Sequence, residues 1–158
     1  MKLSEHFTLY EFTRSQEAIR RGIYNQPNAE QLENIKALVD NILEPIRIHF
    51  DKPVSISSGL RLPALNIAIG GSSTSSHMNG EAADFEIYGI DNFRLARWIA
   101  DNCPAFDQLI LEFYNENVDM NSGWIHCSFS RKKNRRQVLT ATRKNGRTIY
   151  LPGLIKLD

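Results

Sequence analysis

Apolar residues recur at three- and four-residue steps at Leu32, Ile35, Leu38, Val39, Ile42, Leu43 and Ile46. That spacing lines one face of an α-helix. Asn28 stands ahead of it with Gln31 three residues on, the pattern of a capping box. Pro45 lacks an N–H and is expected to kink or end the helix. A second helix is expected after Asp91, with Phe93, Ala96, Trp98, Ile99 and Ala100 on its apolar side and an end near Asn102-Cys103-Pro104. Elsewhere the period falls to two. Residues 54–58 alternate apolar and polar and read as a short strand. In residues 82–88, Ala83, Phe85 and Ile87 share one face while Ala82, Asp84 and Glu86 share the other. Residues 106–113 form another strand, and 124–129 set Trp124, His126 and Ser128 on one face. Two further runs, 138–142 and 148–151, flank Asn145-Gly146, a pair suited to the positive φ angles of a tight hairpin.

The opening, residues 3–25, mixes short apolar pieces with polar breaks, and Ser15 is placed to cap a turn through Ala18 and Ile19. Residues 65–69 allow one helical turn, closed by Gly70-Gly71, and 72–76 form a polar loop. Helices that precede or interrupt antiparallel-looking strands argue for an α+β fold. The expected architecture is a small antiparallel sheet flanked by N-terminal and central helices. Residues 1–158 then form one domain, with 1–50 as a helical cover and 51–158 as the sheet core.

Bulk properties narrow the function. A chain of 158 residues can bury a core without staples. Nineteen basic and eighteen acidic residues give a net charge of +1, so charge predicts no nucleic-acid partner. No cationic, apolar leader opens the chain and no apolar run could span a bilayer. The protein is therefore expected to be made in a cytoplasm, to need release to act outside a cell, and to be a monomer. The two cysteines, Cys103 and Cys127, need no disulfide.

Candidate chemistry concentrates in residues 75–84. His77 and Asp84 stand seven apart with Gly80 between them, and His126 arrives on a later strand. Gly80 argues against a helix here. His77 is expected at a loop end and Asp84 on the strand after a tight turn, both facing one point. Two imidazoles and a carboxylate suit a zinc ion that keeps its fourth position for water. Manganese or cobalt could substitute. On spacing alone, a His/Asp pair is more often structural. Arg61, after a strand, is on the residues alone more often a surface arginine. Glu112 sits among Leu109, Ile110, Leu111 and Phe113, where an ionised group needs a partner. Ser75 either caps the turn or donates to a ligand or the substrate. Cys127 alternates to the face opposite His126 and reads as core. Trp124 either walls the site or packs. His6 and His49 carry no partner pattern. The basic run 131–136 reads as a solvated face.

The segment Ser75-x-His77-x-x-Gly80-x-Ala82-x-Asp84 resembles the SxHxxGxAxD signature of the zinc D-alanyl-D-alanine carboxypeptidases, a superfamily that includes the hedgehog signalling domain. Trp124-Ile125-His126 resembles its WxH segment, and Ser58-Gly59-Leu60-Arg61 its SGxR segment. Residues 65–71 and 106–113 resemble the stretches that follow SGxR and carry the acidic residue. Residues 3–47 are similar to the opening of the bacterial and phage branch. The resemblance implies His77, Asp84 and His126 as zinc ligands, Glu112 as general base, and Arg61 as the arginine that engages the substrate carbonyl or terminal carboxylate. One position departs. Several relatives carry the acid three residues before the last His, and here that residue is Gly123, leaving Glu116 and Asp119 as spare carboxylates. The activity implied is a zinc peptidase on peptidoglycan stem peptides, either a D-Ala-D-Ala carboxypeptidase or a stem endopeptidase. A phage or prophage lysis role is part of that expectation. The alternatives are a zinc-holding, non-catalytic binding module of the same fold, or a metal-free structural protein.

Overall fold

The computed structural model describes residues 1–156. Asn28 caps helix α3 (Ala29–Leu38) through a complete capping box. The Gln31 N–H donates to Asn28 Oδ1 at 2.8 Å, and the Asn28 N–H donates to Gln31 Oε1 at 2.9 Å. Ahead of it lie two short helices, α1 (Tyr10–Thr13) and α2 (Gln16–Arg21). Ser15 caps α2 as expected, its Oγ accepting from Ala18 N–H.

The long helix does not end at Pro45. It widens into a π-turn, Val39–Leu43, and continues as α4 (Glu44–Phe50) with Pro45 in its first turn. The Glu44 N–H reaches back five residues to the Val39 carbonyl. The wider turn starts a fresh α register, and a proline is tolerated in a first turn because its N–H is not needed there. Ile35, Leu38, Val39, Ile42, Leu43 and Ile46 all bury into one core.

The strands are β1 (Ser55–Ser58), β2 (Ala82–Glu86), β3 (Gln108–Glu112), β4 (Trp124–Ser128), β5 (Gln137–Lys144) and β6 (Arg147–Pro152). They form one sheet in the order β1-β2-β4-β3-β5-β6. The fold is α+β, but the sheet is mixed rather than purely antiparallel, because β3 and β5 run parallel. The cause is the basic segment 131–136. It steps over the entry to β3 instead of folding back beside β4, with Arg136 N–H donating to Phe106 O and Gln137 N–H to Asp107 O. The run is largely exposed, as expected of a solvated face, but its arginines also have partners. Arg131 donates to Asn34 Oδ1, Arg135 pairs twice with Asp107, and Arg136 donates to the Ala100 and Cys103 carbonyls with its guanidinium over the Phe106 ring. The hairpin turns through Asn145 and Gly146 at φ 53° and 75°.

Helices α5 (Pro63–Ala68) and α6 (Asn92–Asn102) complete the chain, with Asp91 capping α6 through the N–H groups of Phe93 and Arg94. The period-two pattern sorts the sheet's faces. Ala83, Phe85, Leu109, Leu111, Ile125 and Cys127 point into the core shared with α1, α3, α4 and α6 and are fully buried. Their neighbours in sequence, including Asp84, Ile110, Glu112 and His126, therefore face the other way. Cys103 and Cys127 are free and buried. Among the described residues no helix is long and apolar enough to cross a membrane.

Phe85 ties β2 to the helical layer beside Asp84. Phe85→Ala should destabilise the fold by about 3–5 kcal/mol in urea unfolding; a loss below about 1 kcal/mol would show that the helices do not brace this strand.

Candidate metal centre

Three elements bring the expected donors together. Asp84 and His126 are direct register partners across the β2–β4 ladder. His77 comes from a 3₁₀ turn, Ser76–Asn79, which Ser75 caps by accepting the His77 N–H at 3.2 Å. His77 Nε2 lies 3.2 Å from Asp84 Oδ1, and His126 Nδ1 lies 3.0 Å from the same oxygen. One ligand atom from each of the three residues falls within 4.8 Å of the others, so the group could hold a metal ion. Donors about 2.0–2.1 Å from a tetrahedral zinc stand about 3.3 Å apart. The two measured separations are close to that.

The protonation pattern points the same way. His77 Nδ1 sits 2.7 Å from the Gly59 carbonyl, which can only accept, so Nδ1 carries the proton. In a neutral ring the Nε2 lone pair then faces the Asp84 oxygen. Two lone pairs at that distance need a proton or a cation between them. Fixing the tautomer through a backbone carbonyl is also how ligating histidines are oriented. Gly59 must be glycine for this contact, since a Cβ there would lie 2.6 Å from the Phe12 carbonyl. Burial opposes ionisation of Asp84, but with protonated imidazoles at His126 and His77 beside it their hydrogen bonds and charge outweigh burial and hold its carboxyl well below the usual range.

The site opens on a cleft of about 570 Å³ on the face of the sheet opposite the helical core. Arg61 lines it, half-buried, donating from Nη2 to Ser75 Oγ at 3.3 Å. Its Nε is buried without a partner. Burial lowers the guanidinium's pKa from its ordinary value, while the charges of Asp84 and Glu112 oppose that. Ser75 thus caps the turn and accepts from Arg61 with one oxygen, leaving its own proton free to donate.

Glu112 also lines the cleft, half-buried, so it is not a solvent-facing strand carboxylate. Burial raises its pKa and the Asp84 charge adds to that. The His126 charge, the Trp124 indole and the Arg61 charge pull the other way. Trp124 is its register partner on β4 and walls the cleft. The indole Nε1 is buried and closes no full hydrogen bond.

The glycine in the acid's alternative place has a structural reason. Gly123 adopts φ +67°, and a Cβ there would lie 2.0 Å from the Glu112 carbonyl oxygen. No carboxylate can be carried at that position in this backbone. Glu116 instead pairs with Lys156 at 3.1 Å, and Asp119 accepts from Asn121 N–H within its own loop; neither lines the cleft.

His6 is tied to Glu44 at 2.8 Å and His49 stacks on Trp98, so both have structural partners. Cys127 points into the core. Asp107, Arg135 and Tyr150 line the cleft although no motif singles them out. Their strands are legible in the sequence, but the order of the strands, which brings β6 to this face, is not.

The chain matches the model of the family described as Peptidase M15 over residues 5–128. No curated protein matches the chain.

Two measurements test the centre. Calorimetric titration with zinc at neutral pH should give one ion per chain for the wild type and none for His77→Ala. The affinity should fall as the pH is lowered, because both imidazoles and the carboxylate must be deprotonated to bind. Tight, pH-independent binding, or full retention in His77→Ala, would place the ion elsewhere.

Proposed function

The chain belongs to the peptidase M15 family, whose members are zinc-dependent peptidases, and we propose that it hydrolyses the peptide stems of bacterial peptidoglycan. The observation that carries the reading is the convergence of His77, Asp84 and His126 on one point at the floor of an open cleft that also holds Glu112 and Arg61. A zinc ion bound there would supply a water acidified to a pKa of about 7 and a Lewis acid for the scissile carbonyl.

The chain's own residues do the rest. Asp84 stays ionised and supplies the negative donor. Glu112, the carboxylate whose proton affinity is raised, takes the attacking water's proton and returns it to the leaving amine. The two acids are thus held apart in proton affinity by their surroundings, which is what assigns one as ligand and the other as base. Arg61 brings an unpaired buried donor to the cleft. A guanidinium fork can take a free carboxylate with two parallel hydrogen bonds, which favours stems ending in D-Ala-D-Ala. Oxyanion stabilisation is its alternative use. Ser75 holds Arg61 and the His77 turn in common register and donates to substrate. The reading takes the protein as a monomer with a phage or prophage lysis role.

A non-catalytic zinc module of the same fold is the second reading. It is less favoured because a carboxylate of raised proton affinity stands in the same cleft as the metal donors.

Purified muropeptides incubated with the zinc-loaded protein should lose mass corresponding to one stem bond, and a chelator should abolish the loss. Intact muropeptides with stoichiometric zinc would favour the binding module. Glu112→Gln should keep the metal and lower turnover by about 10²- to 10⁴-fold; near-normal turnover would remove Glu112 as the base. Arg61→Ala should harm substrates with a free terminal carboxylate more than amidated ones, and equal harm would leave only the oxyanion role.

A further inference from the structure

The β5–β6 hairpin lies beyond the residues that match the family, yet it reaches the cleft. One cross-strand row on the open face reads Trp124, Glu112, Ala141, Tyr150, across β4, β3, β5 and β6 in turn. Residues paired in register point to the same side of a sheet, so Tyr150 shares the face of Glu112. Adjacent strands stand about 4.8 Å apart, which puts the Tyr150 backbone about 10 Å from that of Glu112. Ala141 stands between them in the row, its methyl buried.

The phenol is uncommitted. Burial raises its pKa and the Glu112 charge adds to that, with no hydrogen bond contributing. It therefore remains a protonated donor through the neutral range. Tyr150 is still 53% exposed, so a donor in the cleft wall faces solvent with nothing among the described residues to accept its proton.

We propose that Tyr150 is a substrate-binding residue of the same site, its hydroxyl donating a hydrogen bond to a backbone carbonyl of the stem peptide on the Glu112 side of the cleft. The proposal rests on the peptidase reading for the identity of the ligand. It makes the hairpin part of the active cleft rather than an appendage, and gives the peptide a polar hold besides Arg61.

The test uses Tyr150→Phe, which keeps the ring and removes only the hydroxyl. Binding of a purified full-length-stem muropeptide is measured by calorimetry on zinc-loaded Glu112→Gln protein, with and without Tyr150→Phe. Cleavage is measured in parallel on the wild type and the single Tyr150→Phe variant. Loss of one such hydrogen bond should weaken binding about tenfold and lower kcat/KM by a similar factor. Zinc stoichiometry, Tm and the acid limb of the pH profile should stay unchanged. Equal binding with and without the hydroxyl would overturn the proposal. So would a fall in activity accompanied by a shifted acid limb, since the hydroxyl would then act through Glu112 and not on the peptide. Failure of the peptidase reading shows differently, as intact muropeptide with the wild type, and the binding comparison still decides the role of Tyr150.

Discussion

The direct pairing of Asp84 with His126 across β2 and β4 is the constraint on which the site depends. Side chains alternate along a strand, so a slip of either strand by one residue would turn its own group into the helical core and part the pair. The slip is resisted by the residues interleaved with them. Ala83 and Phe85 on β2, and Ile125 and Cys127 on β4, are fully buried against the helices. Returning them to water would cost about 1.5–3 kcal/mol for each large side chain. The apolar half of each strand thus fixes the register, and the register places the polar half.

The third donor has no ladder to hold it, and its geometry comes from local bonds. Ser75 caps the turn that carries His77, Gly59 takes the Nδ1 proton, and the Arg61 N–H bonds the His77 carbonyl. Residues 58–61 and 75–77 are therefore one unit in space though separated in sequence. That unit also carries the arginine that opens onto the cleft. Across the site, Glu112 is held by β3, its proton affinity raised by burial and by the Asp84 charge. A buried, ionised Asp84 and a half-buried Glu112 of higher proton affinity stand on neighbouring parts of one sheet face. That difference in environment is the physical basis of the two roles proposed for them.

Much of this was legible in the sequence because it is local. The capping box at Asn28, the cap at Asp91, the hairpin at Asn145-Gly146 and the alternation that opposes Cys127 to His126 each depend on a few adjacent residues. The π-turn before Pro45 was not legible, because helical periodicity does not reveal a single added residue that lets a proline begin a new register. The parallel pairing of β3 with β5 was hidden for another reason. It depends on arginines of segment 131–136 finding Asp107, Phe106 and the end of α6, contacts that their charge alone does not predict. Gly123 was visible as a departure from its relatives, but its cause, the Glu112 carbonyl in the space of a Cβ, exists only in three dimensions. Tyr150 read as an ordinary hairpin residue until the strand order brought β6 to the cleft.

The central claim is that three side chains share one divalent ion and leave it a position open. Anomalous diffraction at the zinc edge, from crystals of the metal-loaded protein, tests it most directly. The account predicts one strong peak about 2.0–2.2 Å from His77 Nε2, His126 Nδ1 and an Asp84 oxygen, with no fourth protein ligand. A peak bound elsewhere, or a fourth side chain closing the coordination shell, would contradict it.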